Sequence, residues 1–378
     1  MDSWIAEAAR RIESRLLPEL EALVAVSTPS GDVESAEEAI AVTRAFLPAS
    51  AESERVRCSS PGHADDLIAT VSGTGTMKLL LLGHLDTVVS HAAHRPLQRV
   101  GERLHGSGTI DMKAGDALAL GVMRELTGRP ELFAELALLF VVDEEWRRAP
   151  FAHAARFSDY DACLCFEGGQ RGDDGTEEVV VRRKAAGTIR VTAEGRAAHS
   201  GSQPGLGRNA LLAIAHTAIG IAAHNDPDGP DRLSVVPTIA RSGDALNVVP
   251  DAGELLCDVR ADRSEAFKAV IDAVPTEHAG VRLAVEQVRE WPGMDAREAT
   301  APVLAAAADL LGRTIAPAAR GGASDASHLA TVIAVTIDGL GPLGDGAHTP
   351  GEHVLASSIR ERAEVALAIA IACVGGYG

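Results

Sequence analysis

Short apolar runs of strand length alternate with helical patterns, and this alternation restricts the chain to few folds. The runs cover residues 79–82, 136–142, 162–166 and 332–337. Between them lie segments with apolar spacing of three and four, such as 114–126. The runs lack the polar alternation of a strand wetted on one face, so both of their sides must be covered. Such strands, joined through helices, predict an α/β domain with a mostly parallel sheet flanked by helices. At the start, Ile5, Ala8, Ala9, Ile12 and Leu16 keep helical spacing. Pro18 is placed to open a second helix that turns Leu20, Leu23 and Val24 inward. Residues 357–374 read as a closing helix.

The middle breaks this rhythm. Residues 187–195 alternate as a strand, 209–222 are helical, 233–240 and 254–260 are strands, 264–274 is a helix and 281–288 a last strand. The order β-α-β-β-α-β predicts a ferredoxin-like α+β insertion. It would occupy residues 185–292, between the two parts (1–184 and 293–378) of the larger domain. A chain of 378 residues also exceeds one ordinary core. A net charge of -18 argues against a nucleic-acid partner, which needs basic patches, and against an anionic membrane. The five cysteines are odd in number and form no CxxC pair, which fits reduced thiols better than a disulfide framework. The first helix carries acids instead of the basic-then-apolar order of a signal peptide, and no run is long enough to span a bilayer. A cytoplasmic location is the expectation.

Ionisable residues gather where the apolar runs stop. "LLLLGHLDTV" ends on His84 and Asp86, and "ELALLFVVDEEW" on Asp143, Glu144 and Glu145. "DACLCFEGG" ends on Glu167, and "IAVTIDGLGPLGDGAHTPGE" runs on to His348 and Glu352. In an open α/β sheet the carboxyl edge is where ligands bind. Acids crowded there repel one another unless cations lie among them. "HGSGTIDMKAG" lacks the third glycine of a phosphate loop and follows no clear strand, so a nucleotide site is disfavoured. His84, Asp111, Glu145, Glu167 and His348 are candidate ligands of zinc, or of cobalt or manganese. Five ligands suit two ions that share a bridging carboxylate. Asp86 follows His84 by two residues, so on extended backbone it can orient the imidazole.

Taken singly these signals are weak, but together they carry a resemblance. "GHLDTV", "GSGTIDMKAG", "VVDEE", "FEGG", "GRAAHSGSQPGLGRNA", "NVVP…CDVR", "GGASDASH" and "GDGAHTPGEHV" resemble, in order, the motifs of the dinuclear zinc peptidases and deacylases of metallopeptidase family 20. The likeness covers nearly the whole chain and is nearest to the glutamate carboxypeptidase branch. It implies a zinc-peptidase-like domain with an inserted lid or dimerisation domain, two zinc ions per subunit and a homodimer. It also implies that His84 and Glu167 bind one zinc, Glu145 and His348 the other, and Asp111 both, with a cis peptide between Asp111 and Met112. Asp86 would orient His84, and Glu144 would be the general base. His199 would reach the partner subunit's site to stabilise the oxyanion. Asn247 and Arg260 match residues that hold substrate.

The implied reaction is hydrolysis of an N-acyl amino acid or of a C-terminal peptide bond. Arg260 would clamp the substrate carboxylate, a task that suits a guanidinium fork. Cleavage of a carbamoyl or formimino C–N bond, or a non-catalytic metal-binding relative, are the alternatives. Two departures stand out. "DEEWRRAPF" puts Trp146, Arg147 and Arg148 where the family often has glycine, which bears on the substrate pocket, and "DMKAG" replaces the commoner "DMKGG".

Overall fold

A computed structural model describes residues 2–375. They form two compact units. One runs to Arg182, takes up Asp295–Ala319 and resumes at Ser324; the other is Arg183–Met294 with Arg320–Ala323.

The sheet of the first unit has six strands in the order Glu52–Val56, Asp66–Ser72, Glu135–Val141, Lys78–His84, Ala162–Cys165, Val335–Ile337. The last four are mutually parallel, and the first two run antiparallel at one edge. Lys78–His84 is central, so its leucines are buried on both faces. Leu79 and Leu81 join the main core, and Leu80 and Leu82 are equally enclosed. Helices Ser3–Ala25, Ala114–Thr127 and Ser358–Val374 pack together, and the last two also pack on this strand. Among the described residues no helix is long and apolar enough to cross a membrane. All five cysteines are buried and free.

Pro18 does not open a new helix; it sits inside the continuous helix Ser3–Ala25. The missing N–H breaks one hydrogen bond. However, the buried face Ile5, Ala8, Ala9, Ile12, Leu16, Leu20, Leu23 and Val24 runs unbroken through it. Packing of that shared stripe outweighs the local propensity.

Five antiparallel strands form the sheet of the second unit, in the order Ser234–Ser242, Ala252–Ala261, Ala185–Glu194, Val281–Trp291, Glu277–His278. Its core joins Ile189, Val191, Leu255 and Val259 to Ile214 and Phe267 from two helices. The first helix, Ala210–Ala222, is capped by Asn209, whose Oδ1 accepts from the Leu212 N–H at 3.2 Å. The second is shorter than its sequence pattern: Ser264–Ala266 is a 3-10 turn and only Phe267–Asp272 is α-helical.

Gly115 lets helix Ala114–Thr127 sit down on the strand ends. A Cβ there would lie 1.8 Å from the Phe166 carbonyl oxygen. Its neighbour Ala114 is fully buried without such a clash, so the alanine in "DMKAG" stands at the position that tolerates a methyl. Gly115→Ala is expected to lower stability by about 1–3 kcal/mol, as overpacking does. Urea unfolding would show this as an earlier midpoint; an unchanged midpoint would contradict the close approach.

Candidate metal centre

Strand register brings the ionisable residues together. Leu82 lies opposite Leu139 on one side and Cys165 on the other, and His84 lies opposite Val141. Three parallel strands therefore end at one level and release His84, the Asp143–Glu144–Glu145 turn and Glu167 side by side. Asp111 comes from the turn before helix Ala114–Thr127, and its peptide bond to Met112 is cis. His348 comes from a loop far down the chain, at φ 63°.

The His84 Nε2 lies 3.1 Å from Asp111 Oδ1 and 3.7 Å from Glu167 Oε1. The His348 Nε2 lies 2.9 Å from Asp111 Oδ2 and 3.2 Å from Glu145 Oε2. Two donor triads result, His84–Asp111–Glu167 and Asp111–Glu145–His348, each with its ligand atoms within 4.8 Å of one another. Asp111 belongs to both, one oxygen towards each imidazole. Asp86 is fully enclosed. Its backbone carbonyl is 3.1 Å from the His84 Nδ1, and its two carboxylate oxygens accept the N–H groups of Glu144 and Glu145, each at 3.1 Å. One side chain thus ties the histidine strand to the acidic turn.

The electrostatics are those of a cation site. Asp86, Asp111, Glu144, Glu145 and Glu167 crowd around two imidazoles, with Arg147 and Lys113 as further cationic neighbours, so the carboxylates stay in excess even if both rings are protonated. Burial pushes the Glu144 and Glu145 carboxyls up. Against burial, His348 and His84 hold the Asp111 carboxyl well below the usual range. Asp111 and Glu145 push His348 up to about 10. Glu145 Oε1 is buried without a hydrogen-bond partner. Two imidazoles and two glutamates around a shared aspartate are a donor set suited to a pair of borderline divalent ions. A cleft of about 620 Å³ opens beside His348 and is also lined by Val88, His94, Arg95 and His105.

His199, Asn247 and Arg260 belong to the second unit. His199 is exposed; its Nδ1 accepts from the N–H groups of Gly201 (3.1 Å) and Ser202 (3.2 Å). Asn247 is its neighbour, since the Asn247 carbonyl accepts from the Ser200 N–H at 3.0 Å. Arg260 pairs with Asp258 on its own strand, Nε to Oδ2 at 3.0 Å.

Three supporting residues carry no assignment from sequence. Glu352 is buried and accepts from the N–H groups of Gly108 (2.8 Å), Ile110 (3.0 Å) and Asp111 (3.2 Å), fixing the turn that presents Asp111. Arg147 is fully buried, with Nη2 2.5 Å from Asp325 Oδ1 and Nε 3.6 Å from Asp143 Oδ1. Burial pushes the Asp325 carboxyl up to about 7, with Arg147 opposing. Arg147 is thus an internal counter-ion, while Trp146 and Arg148 are exposed. The only sequence signals were an acid four residues after His348 and the acid in "GGASDASH".

Residues 80–372 match peptidase family M20/M25/M40. Carboxypeptidase G2 of Pseudomonas sp. is 29% identical over 96% of this chain and 90% of its own length. The succinyl-diaminopimelate desuccinylase of Stutzerimonas stutzeri is 25% identical over 79% of this chain and 84% of its own. Among solved structures, aminopeptidase PepT from Bacillus cereus superimposes with a TM-score of 0.76 at 22% identity, covering 96% of this chain and 98% of that one. At that identity the likeness speaks for the fold alone.

Removing Glu352 strips three buried N–H groups of their acceptor. Glu352→Ala is expected to weaken divalent-metal binding by about 10–100-fold, as loss of a ligand-orienting partner does. Competition with a chromophoric chelator measures it; parental affinity would show that the Asp111 turn holds itself.

Proposed function

The chain belongs to peptidase family M20/M25/M40, and on that premise we propose that it uses two zinc ions per subunit to hydrolyse the amide bond of an N-acyl amino acid or a C-terminal peptide bond. The observation that carries this reading is the pair of donor triads sharing Asp111. His84 and Glu167 would hold one ion, Glu145 and His348 the other, and Asp111 both. Cobalt or manganese would fit the same donors. Bound in this way, the ions supply an acidified water and a polarised scissile carbonyl; a single zinc lowers the pKa of water from about 15.7 to about 7.

The remaining work falls to the chain's own groups. Asp86 holds the His84 ring so that Nε2 faces Asp111. Glu144 takes the proton of the attacking water and returns it to the leaving amine. Burial raises its carboxyl, which makes the carboxylate a stronger base. His199 donates to the oxyanion. Its Nδ1 already accepts two backbone N–H groups, so the neutral ring carries its proton on Nε2, as a donor must. Asn247 stands next to it for the substrate's polar groups. Arg260 engages the substrate carboxylate by exchanging its Asp258 partner for it. A carboxylate-bearing substrate agrees with the name of carboxypeptidase G2, the relative matched over 96% of this chain.

The second unit supports a homodimer in which His199 serves the partner's site. Helix Ala210–Ala222 exposes Leu211, Leu212 and Ile219, and the edge strand Ser234–Ser242 exposes Val236 and Ile239. An apolar helix face beside an open strand edge suits pairing with a second copy across a two-fold axis.

Hydrolysis of a panel of N-acyl amino acids and dipeptides by the zinc-loaded protein tests the reading, and turnover of none of them would end it. Glu144→Gln is expected to keep both metals and lose about 10²–10⁴ in kcat. Parental turnover in that variant would remove Glu144 as the base. His199→Ala is expected to lose about 10²–10³ in kcat. Mixed in equal amounts with Glu144→Gln under subunit exchange, it should recover about a quarter of parental activity, because one site in each mixed dimer is complete. No recovery despite verified exchange would place His199 outside the partner's site.

A further inference from the structure

Asp143 opens the acidic turn but takes no part in the two donor triads. It lies instead with Cys58 and Asp66, one donor atom of each within 4.8 Å of the other two. Cys58 follows strand Glu52–Val56, Asp66 begins strand Asp66–Ser72, and Asp143 leaves strand Glu135–Val141. The latter two strands are antiparallel neighbours, so the start of one meets the exit of the other. All three residues are closed off from solvent, at 5%, 0% and 0% exposure.

The group is held in place from outside. Asp66 accepts from the Val142 N–H at 3.0 Å, and its other oxygen meets the His153 Nε2 at 2.7 Å. Asp143 Oδ2 accepts from the Ser60 N–H at 2.9 Å. Asp143 Oδ1 is buried and accepts no hydrogen bond; the Arg147 Nε, at 3.6 Å, is beyond that reach. That guanidinium also pairs with Asp325 at 2.5 Å, so the oxygen shares its ionic partner with a second buried carboxylate. The hydrogen bonds from Ser60, Val142 and His153 fix the two carboxylates beside the thiol but leave that one oxygen without a donor. As a donor set, however, one sulfur and two oxygens suit a borderline divalent ion. Zinc takes sulfur at about 2.3 Å and oxygen at about 2.0–2.2 Å, and a tetrahedral site spaces such donors by about 3.3–3.6 Å, inside the observed limit.

We propose that Cys58, Asp66 and Asp143 form a third cation site, for zinc or a similar thiophilic divalent ion, separate from the shared-aspartate pair. On binding, the Cys58 thiol gives its proton to solvent. The thiolate and two carboxylates are then offset by the ion and by Arg147. His153 orients Asp66 as an outer partner. The ion anchors the turn that carries Glu144 and Glu145, so its role is structural.

Cobalt reconstitution of the chelator-stripped full-length protein tests this without reference to turnover. The Asp111 pair contains no sulfur and gives only weak visible bands, whereas a cobalt–thiolate bond adds a strong near-ultraviolet charge-transfer band. The parental protein should show that band and take up about three cobalt ions per chain. Cys58→Ser should lose the band and one ion while keeping the visible bands. His348→Ala should keep the near-ultraviolet band. Absence of the band from the parental protein overturns the proposal, whether or not the Asp111 pair fills, and so does its survival in Cys58→Ser.

Discussion

The two oxygens of Asp111 reach imidazoles that are 264 positions apart in the sequence, Oδ1 to His84 at 3.1 Å and Oδ2 to His348 at 2.9 Å. For both contacts to form, a central strand, the turn before a helix and a late loop must meet at one carboxylate. Much of the first unit's architecture serves that meeting. Parallel register levels the strand ends, Gly115 lets the helix descend onto them, and Glu352 grips the turn through three N–H groups. Divalent cations suit such a point because crowded carboxylates there gain from positive charge that two imidazoles alone do not supply.

The three acids of the "DEE" turn divide among different tasks. Asp143 packs inward with Cys58, Asp66 and Arg147; Glu144 stands half-buried; Glu145 joins His348. The backbone between them is fixed by Asp86, which accepts the N–H groups of Glu144 and Glu145. Asp86 and Arg147 brace the same turn, so the buried charge pairs around Arg147 belong to the same framework as the two donor triads.

Much of this was legible in the sequence. An apolar run without alternation must be a strand covered on both faces, and an imidazole or carboxylate at its end needs a partner; that reasoning finds His84, Glu145 and Glu167. Unit two was legible from its strand–helix order. Other features depend on contacts no local pattern encodes. The Pro18 helix stays whole because one buried stripe spans the proline. Arg147 reads as a surface base until Asp325, 178 residues away, is seen to pair with it. Glu352 reads as a loop acid because its three donors lie more than 240 positions upstream. The exposed apolar face of helix Ala210–Ala222 was hidden because an apolar helix looks the same in sequence whether its partner is a core or a second copy.

Anomalous diffraction from crystals of the zinc-loaded protein, collected on both sides of the zinc absorption edge, shows whether Asp111 is shared by two ions. Two zinc peaks are expected beside Asp111, one among His84 and Glu167 and one among Glu145 and His348, about 3.5–4 Å apart. A single peak there, or zinc held without contact to Asp111, would contradict it.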